Sequence, residues 1–221
     1  MPALSRKTMQ VPRLILASKS PRRAEILRAA EWDFEVLAAN IDETPQPNET
    51  AVDYVRRLAQ TKAETVAQRV DSGLVLGADT IVEVDDEILG QPGDEANARR
   101  MLKLLSAKWH KVITGVCLVS VADDQRVVAH EVTRVRFANL SPPEIEWYVS
   151  TGEPNDKAGA YAIQGRGAIF IEEVQGDYFN IVGLPIRLVY QLLLELNSFV
   201  DRDQAEFEVS GGKPTFRTEH F

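Results

Sequence analysis

The amino-acid sequence predicts an α/β fold with a mixed β-sheet and flanking helices, and three observations lead to this prediction. Apolar strand patterns alternate with amphipathic helical patterns over most of the chain, which is typical of sheets that contain parallel strands. Two long strand patterns, at 112–121 and 126–137, are joined by a short turn at Asp123 and Asp124, which indicates an antiparallel pair. The 221 residues are 44% hydrophobic and 26% charged, a composition that supplies a sizeable core.

The first half of the chain predicts helices and strands in alternation. Residues 13–17 form a short apolar run that predicts a buried strand. Ser20 is a favoured N-cap and Pro21 a favoured first helical residue, so we expect a helix from there to about residue 30. The other elements predicted in this half are a strand at 34–38, an amphipathic helix at 51–70 and strands at 74–78 and 81–84.

The second half continues the alternation. Asp94 is the predicted N-cap of a helix at 95–105. Ser141, Pro142 and Glu144 have capping-box spacing, which predicts a helix to about residue 150. The elements expected after the two long strands and this helix are a glycine-rich stretch at 152–167, a hairpin with strands at 168–172 and 178–182, and a helix from Pro185 to about residue 196.

Charge and cysteine content narrow the classes of function. The 33 acidic residues exceed the 25 basic ones and give a formal charge of −8, which argues against broad nucleic-acid binding. Cys117 is the only cysteine, so we expect a buried structural thiol and a reducing compartment, the cytoplasm. No apolar run reaches the length of a membrane span, so no membrane partner is expected. We expect one domain at 12–198, an extension at 1–11 and a polar tail at 199–221.

The clearest candidate site lies between the first strand and the first helix. Ser18, Ser20, Arg22 and Arg23 surround the predicted helix N-terminus, where backbone N–H groups lack partners and the helix dipole is positive. Two hydroxyls and two guanidinium groups at such a point form a cradle suited to a triphosphate. The alternative is an ordinary helix start with solvated arginines.

Three further charged residues are candidates for the same site. Lys62 falls within the apolar stripe of the helix at 51–70, so its ammonium either extends to solvent or meets an anion. Asp79 ends an apolar strand, where a carboxylate binds a divalent cation or activates water, or simply caps a turn. Glu43, next to Asp42 in a polar segment, offers another hard oxygen ligand, or a solvated loop carboxylate.

The glycine-rich stretch holds a last candidate. Gln164 has an amide that both donates and accepts, which suits the edge of a nucleobase, and Tyr161 offers a ring for stacking. The alternative is a surface loop without a ligand. The sequence has no His/Cys cluster of the zinc-binding kind, no P-loop and no Rossmann glycine fingerprint.

Six sequence blocks, in this order, resemble the Maf family of nucleotide pyrophosphatases from about residue 14 to 196. The blocks are Leu-Ala-Ser-Lys-Ser-Pro-Arg-Arg at 16–23, Gly-Ala-Asp-Thr at 77–80, Ile-Leu-Gly-Gln-Pro at 88–92, Thr-Gly-Val at 114–116, Asp-Lys-Ala-Gly-Ala-Tyr-Ala-Ile-Gln-Gly at 156–165 and Gly-Asp-Tyr-Phe-Asn-Ile-Val-Gly-Leu-Pro at 176–185. The resemblance implies an elongated inosine-triphosphatase-like fold with a curved mixed sheet and a deep cleft between two lobes. The domain at 12–198 would then be the catalytic one.

The resemblance also implies an activity and roles for residues. It implies hydrolysis of a nucleoside triphosphate to the monophosphate and pyrophosphate, with Mg²⁺ or Mn²⁺, in a homodimer. Asp79 matches the catalytic proton acceptor, and Glu43 matches an acidic position near the metal. The positions that match phosphate-binding residues of the family are Ser18, Arg22, Arg23 and Lys62.

Substrate choice is implied by three positions and complicated by a fourth. Arg23, Thr80 and Gln164 match the family's specificity positions and resemble the dTTP/UTP branch, with modified pyrimidine nucleotides as further candidates. Gln91 stands where the family usually has lysine, so one cation towards the phosphates is replaced by an amide. The alternatives are a purine-directed pyrophosphatase of the inosine triphosphate type and a nucleotide-binding division regulator with little turnover.

Overall fold

In the computed structural model, residues 13–196 are described, and they form a mixed sheet with helices on both faces. The strands are β1 (Leu14–Leu16), β2 (Phe34–Val36), β3 (Leu74–Val84), β4 (Glu87–Leu89), β5 (Trp109–Ser120), β6 (Gln125–Phe137) and β7 (Ile171–Gln175). Their order is β2-β1-β3-β5-β6-β7, and β4 also pairs with β3. Strand β1 runs parallel to both of its neighbours, and all other pairs are antiparallel. The predicted α/β class with a mixed sheet is confirmed.

Four of the helices begin where the sequence predicts, at Pro21, Ala51, Glu95 and Pro142. They are α1 (Pro21–Ala29), α2 (Ala51–Ala67), α3 (Glu95–Leu105), α4 (Pro142–Ser150), α5 (Tyr178–Val182) and α6 at 186–196, with short 3-10 helices at Glu153–Asp156, Ala158–Ala160 and Arg166–Phe170. The Asp94 side chain accepts a hydrogen bond from the backbone of Asn97 at the start of α3. The capping box of Ser141 and Glu144 is present at α4.

Two of the predictions for strands were wrong. The strands expected at 74–78 and 81–84 are the single strand β3, because its pairing with β5 continues through Asp79 and Thr80. The expected hairpin is absent from the described residues: β7 pairs with β6, and α5 occupies the place of the second strand. The aromatic and β-branched residues of α5 suggest a strand, but the Asp177 side chain caps the helix by accepting a hydrogen bond from Phe179 N (2.7 Å).

The two faces of the sheet bury separate parts of the core. On one face, Ile15, Val75 and Cys117 pack against α2. On the other face, Leu76 belongs to a cluster with α1 and α6, while Val82 belongs to a second cluster with α3, α4 and the 3-10 segments. The polar residue Thr80 lies between Leu76 and Val82 on β3. It belongs to a strip of polar side chains, the polar strip, which separates the two apolar clusters on this face.

A gap along one edge of β3 creates the space for a site. Strand β1 pairs with β3 only at Leu74–Leu76, and β4 pairs with it only at Val82–Val84. Strand β5 occupies the opposite edge over this whole length. Among the described residues, no strand therefore covers the stretch 77–81 on the first edge, and Asp79 lies in the middle of that stretch.

Candidate active site

A cleft of about 570 Å³ opens at this gap. Its volume lies within the range of small-molecule binding sites. Segments after β1 and β2 form one part of its wall, and the stretch at 156–164 forms another. All of the site residues proposed from the sequence line this one cleft: Ser18, Ser20, Arg22, Arg23, Glu43, Lys62, Asp79, Thr80, Gln91 and Gln164.

Lys62 joins the two carboxylates that the sequence suggests as metal ligands. Its Nζ lies 2.6 Å from Asp79 Oδ1 and 2.7 Å from Glu43 Oε1. The side chains of Lys62 and Asp79 are only 11% and 12% exposed, whereas that of Glu43 is 56% exposed. The ammonium therefore meets anions instead of extending to solvent, which offsets the cost of burying both charges.

Close packing of α2 on the sheet explains how Lys62 reaches Asp79. A Cβ atom at Gly77 would lie 2.1 Å from the carbonyl oxygen of Ala59, and one at Gly115 would lie 2.2 Å from that of Val55. Only glycine permits this approach, because any side chain at either position would overlap the helix backbone. The two glycines, on β3 and β5, thus set the short distance between α2 and the sheet that the Lys62–Asp79 pair needs.

Arg23 is buried beneath the cleft and is bound by protein acceptors. Its guanidinium donates to Ser18 Oγ (3.0 Å), the Ala78 carbonyl (2.8 Å), Thr80 Oγ1 (3.1 Å) and the Gly183 carbonyl (2.8 Å). Burial lowers the pKa of Arg23, but an arginine remains charged at neutral pH. These bonds fix the uncovered edge of β3 and its neighbours. Direct contact between Arg23 and phosphate stays a prediction.

The first turn of α1 presents hydroxyl and amide groups to the cleft. Ser18 Oγ accepts hydrogen bonds from Ser20 N (3.2 Å) and from Arg23, which holds the segment before the helix. Ser20 is the N-cap, but no side chain caps this helix. The start of α1 therefore keeps its capacity to bind an anion, as the cradle interpretation requires.

Arg22 crosses the cleft to the opposite wall. Its Nη1 lies 3.1 Å from Asp156 Oδ2, and Lys157 forms a second ion pair with the same carboxylate. Gln91 Nε2 donates to the Asp156 carbonyl at 3.3 Å. Asp156 is thus the point where two cations and the amide of Gln91 meet beside the cleft.

Thr80 connects the cleft to the polar strip behind it. Its hydroxyl lies 2.9 Å from that of Thr114, which donates to the Asn180 carbonyl of α5 at 3.2 Å. Asn180 Nδ2 in turn donates to the Val112 carbonyl (2.9 Å) and to Thr133 Oγ1 (3.0 Å). The hydroxyl of Thr80 is therefore fixed by buried partners.

The two residues proposed to meet a base differ in their surroundings. Gln164 is exposed in the cleft lining and makes no hydrogen bond with any residue in 13–196. Tyr161 is 5% exposed, its hydroxyl pairs with His110 Nε2 (2.8 Å), and its ring packs edge-on against Phe137. The amide of Gln164 is available to a ligand, whereas the ring of Tyr161 belongs to the core.

Tyr54 also lines the cleft and was not predicted from the sequence. Its hydroxyl donates to the Glu43 carbonyl at 2.7 Å and so holds the segment that carries this carboxylate. Burial, with the charges of Asp79 and Glu43, raises the pKa of Tyr54 to about 12. Its spacing from Lys62 by two helical turns places both residues on one face of α2, a signal that would have revealed it.

Known proteins resemble the chain over most of its length. A dTTP/UTP pyrophosphatase of Symbiobacterium thermophilum is 52% identical over 182 residues, which cover 82% of this chain and 93% of the relative. A dTTP/UTP pyrophosphatase of Clostridioides difficile is 48% identical over 180 residues, which cover 81% of this chain and 93% of the relative. Among solved structures, the Ham1 protein of Staphylococcus aureus is 16% identical, covers 57% of this chain and 72% of its own, and has a TM-score of 0.44, too low to carry an argument. The family profile described as Maf-like protein matches residues 13–196, and the chain therefore belongs to the Maf-like family.

Proposed function

We propose that this chain hydrolyses nucleoside triphosphates, and dTTP and UTP in particular, to the monophosphate and pyrophosphate. The observation that carries the proposal is the buried Lys62–Asp79 pair, with Glu43 beside it, in a cleft that also holds Arg22 and Gln164. This arrangement combines cations for phosphates, a carboxylate for water and an amide for a base. The relatives named dTTP/UTP pyrophosphatase support the choice of base.

The proposed reaction is attack of water on the α-phosphorus. Asp79 orients the water and accepts one of its protons, while the bond between the α-phosphorus and the bridging oxygen breaks and pyrophosphate leaves. Lys62 and Arg22 stabilise the negative charge that moves onto the leaving group. Arg23 keeps Ser18 and Thr80 in place through the hydrogen bonds of its guanidinium. Catalysis of this kind rests on positioning and electrostatics.

The carboxylates of Asp79 and Glu43 fit a divalent cation such as Mg²⁺ or Mn²⁺. Both contact the Lys62 ammonium, Asp79 through Oδ1 and Glu43 through Oε1, so the two carboxylates lie close together and each keeps its second oxygen for a cation. Residues 13–196 contain no cluster of three or more metal-binding side chains, which suits a cation that is held by one or two carboxylates and by substrate phosphates. When bound, the cation would neutralise negative charge on the phosphate oxygens.

The proposal also includes a homodimer, as the family resemblance implies, and a place in the cytoplasm, as the single cysteine suggests. In the described part of the chain, every helix is too short or too polar to cross a membrane. Sedimentation equilibrium of the purified full chain measures the mass directly. A mass of one chain across the concentration range would remove the dimer from the proposal and leave the activity untouched.

A nucleotide panel tests the function. The full chain is incubated with dTTP, UTP, CTP, ATP, GTP and inosine triphosphate in Mg²⁺ or Mn²⁺, and released pyrophosphate is measured. We expect the highest kcat/KM with dTTP and UTP. A preference for inosine triphosphate would indicate the purine-directed alternative, and tight binding without pyrophosphate release would indicate a nucleotide-binding regulator.

Asp79→Asn tests the assignment of the catalytic carboxylate. We expect kcat to fall by about 10²–10⁴-fold, because the amide keeps the shape of the side chain but cannot accept the proton. Lys62 retains Glu43 as a partner, so the variant should fold. Asp85→Asn is the matched control, since Asp85 pairs with Lys108 on the surface. Near-normal turnover of Asp79→Asn would show that another group activates water.

A further inference from the structure

A hydrogen-bonded pair outside the cleft holds the loop that carries Gln164. Glu153 Oε1 accepts from the Tyr148 hydroxyl (2.8 Å) and from Gly167 N (3.1 Å), and Glu153 Oε2 accepts from Arg166 N (3.0 Å). The Tyr148 hydroxyl in turn accepts from Ala162 N at 3.1 Å. Backbone groups on both sides of Gln164 therefore end on one tyrosine and one carboxylate.

The glycines of this loop show how closely the pair packs. A Cβ atom at Gly165 would lie 2.4 Å from Glu153 Oε1, and one at Gly167 would lie 2.6 Å from the Tyr148 hydroxyl. Glycine at both positions lets the backbone lie directly against the two side chains. The loop backbone on the C-terminal side of Gln164 therefore contacts the side chains of Glu153 and Tyr148 directly.

Neither member of the pair lines the cleft. Tyr148 is fully buried among Phe170 and the second apolar cluster, so its hydroxyl has a fixed position. Although burial by itself raises the pKa of Glu153, hydrogen bonds from Arg166 N, Gly167 N and Tyr148 bring it below its ordinary value. The carboxylate is therefore ionised at neutral pH and acts only as an acceptor.

We propose that Glu153 and Tyr148 are positioning residues that fix the amide of Gln164 for recognition of the pyrimidine base. This inference rests on the proposed function, because it deepens the role of the same cleft. Gln164 itself has no hydrogen bond within residues 13–196, so the reach of its amide into the cleft depends on the position of the backbone that carries it. A loop held at Ala162, Arg166 and Gly167 fixes that position without touching the base.

Glu153→Gln is the decisive variant. Its amide nitrogen cannot accept a hydrogen bond, so either Arg166 N or the pair of Gly167 N and Tyr148 loses its acceptor. We expect Kd for dTMP and KM for dTTP to rise by about tenfold. Since pyrophosphate lacks a base, its Kd should stay within about twofold, and kcat should stay within about threefold. Discrimination between dTTP and GTP should fall with the affinity for dTMP.

Glu146→Gln is the matched control, because Glu146 lies on the same helix as Tyr148 and pairs with Arg99 at the surface. Circular dichroism and thermal denaturation establish that each variant is folded. Should Glu153→Gln fail to fold, Tyr148→Phe carries the same test, since it removes the acceptor of Ala162 N and the donor to Glu153. In a double-mutant cycle the two changes should be less than additive, because they disrupt one contact.

The outcomes separate this inference from the proposed function. Unchanged dTMP affinity in a folded Glu153→Gln variant would overturn the inference, as would equal losses for dTMP and pyrophosphate, or a fall in kcat with no change in KM. If the wild-type chain releases no pyrophosphate from dTTP or UTP but binds dTMP in a manner that depends on Glu153, the proposed function fails and the inference stands.

Discussion

At the scale of the residue, two cations that line the cleft, Lys62 and Arg22, are paired with carboxylates. Lys62 lies between Asp79 and Glu43, and Arg22 is paired with Asp156. Such pairs hold long side chains in one orientation, which lowers the entropy that a ligand must otherwise remove. A triphosphate therefore competes with Asp156 for Arg22. An additional cation near Asp156 would alter that competition.

Gln91→Lys tests the effect of the amide that replaces the usual lysine. Gln91 is exposed and donates to the Asp156 carbonyl, so an added ammonium would lie near the phosphates but in contact with water. We expect kcat to rise by about fivefold, because a charge-assisted hydrogen bond exceeds a neutral one by about 1 kcal/mol. Steady-state kinetics with dTTP measures this. The matched control is Gln125→Lys, at the opposite end of the sheet; an unchanged kcat in Gln91→Lys would contradict the prediction.

Site residues were predictable where a single charged side chain interrupts an apolar sequence pattern. Lys62 interrupts an apolar stripe and Asp79 interrupts an apolar run, and both patterns are visible in the sequence. The internal bonding of Arg23 was not predictable, because it depends on the carbonyl of Ala78 at an edge of β3 that β1 and β4 leave uncovered. That gap arises from strand pairing between distant segments.

At the scale of the element, the close approach of α2 to the sheet holds Lys62 against Asp79. Gly115→Ala should lower the stability of the fold by about 1–3 kcal/mol, since a Cβ atom there overlaps the Val55 backbone. The added Cβ atom should push α2 away from the sheet. Because Lys62 lies two turns after Val55 on α2, this displacement should also separate its ammonium from Asp79. We expect kcat/KM to fall by about tenfold, as a lost contact to a charged group implies.

Leu102→Ala is the control for this change. Leu102 is fully buried in the cluster with α3, and its truncation costs about 2–5 kcal/mol without touching α2. Urea denaturation measures the free energy of unfolding of each variant, and steady-state kinetics with dTTP measures its activity. If Gly115→Ala and Leu102→Ala lose activity in proportion to stability, the packing of α2 has no specific effect on the site.

Helices α3 and α4 were predicted from their caps, whereas α5 was missed although Asp177 caps it. Helix α3 begins at its Asp94 cap, and α4 begins at its capping box. Helix α5 has the composition of a strand, but Asn180 is held against the sheet by Val112 and Thr133. Contacts with other parts of the chain, which local propensity does not include, stabilise the helix there.

At the scale of the whole molecule, two apolar clusters share one face of the sheet and the polar strip runs between them. His110 is the buried histidine next to the second cluster, packed against Phe137 and Tyr161. It is 2% exposed, and its Nδ1 has no hydrogen-bond partner among residues 13–196. Burial lowers its pKa from 6.5 to about 3, so the folded protein holds a neutral imidazole that the unfolded chain protonates below pH 6.5.

Global stability should therefore depend on pH through His110. Between about pH 6.5 and pH 3 the unfolded state binds the extra proton, so the free energy of unfolding falls as the pH falls through this window. The loss is about 2 kcal/mol at pH 5 relative to pH 8. In His110→Gln, the free energy of unfolding from urea denaturation should differ between pH 8 and pH 5 by about 2 kcal/mol less than in the wild type. The variant is expected to lose stability at both pH values. The carboxylates that also titrate are common to both proteins, so their contribution cancels in this comparison. Parallel pH profiles for wild type and His110→Gln would mean that water or a local opening reaches this histidine before the molecule unfolds.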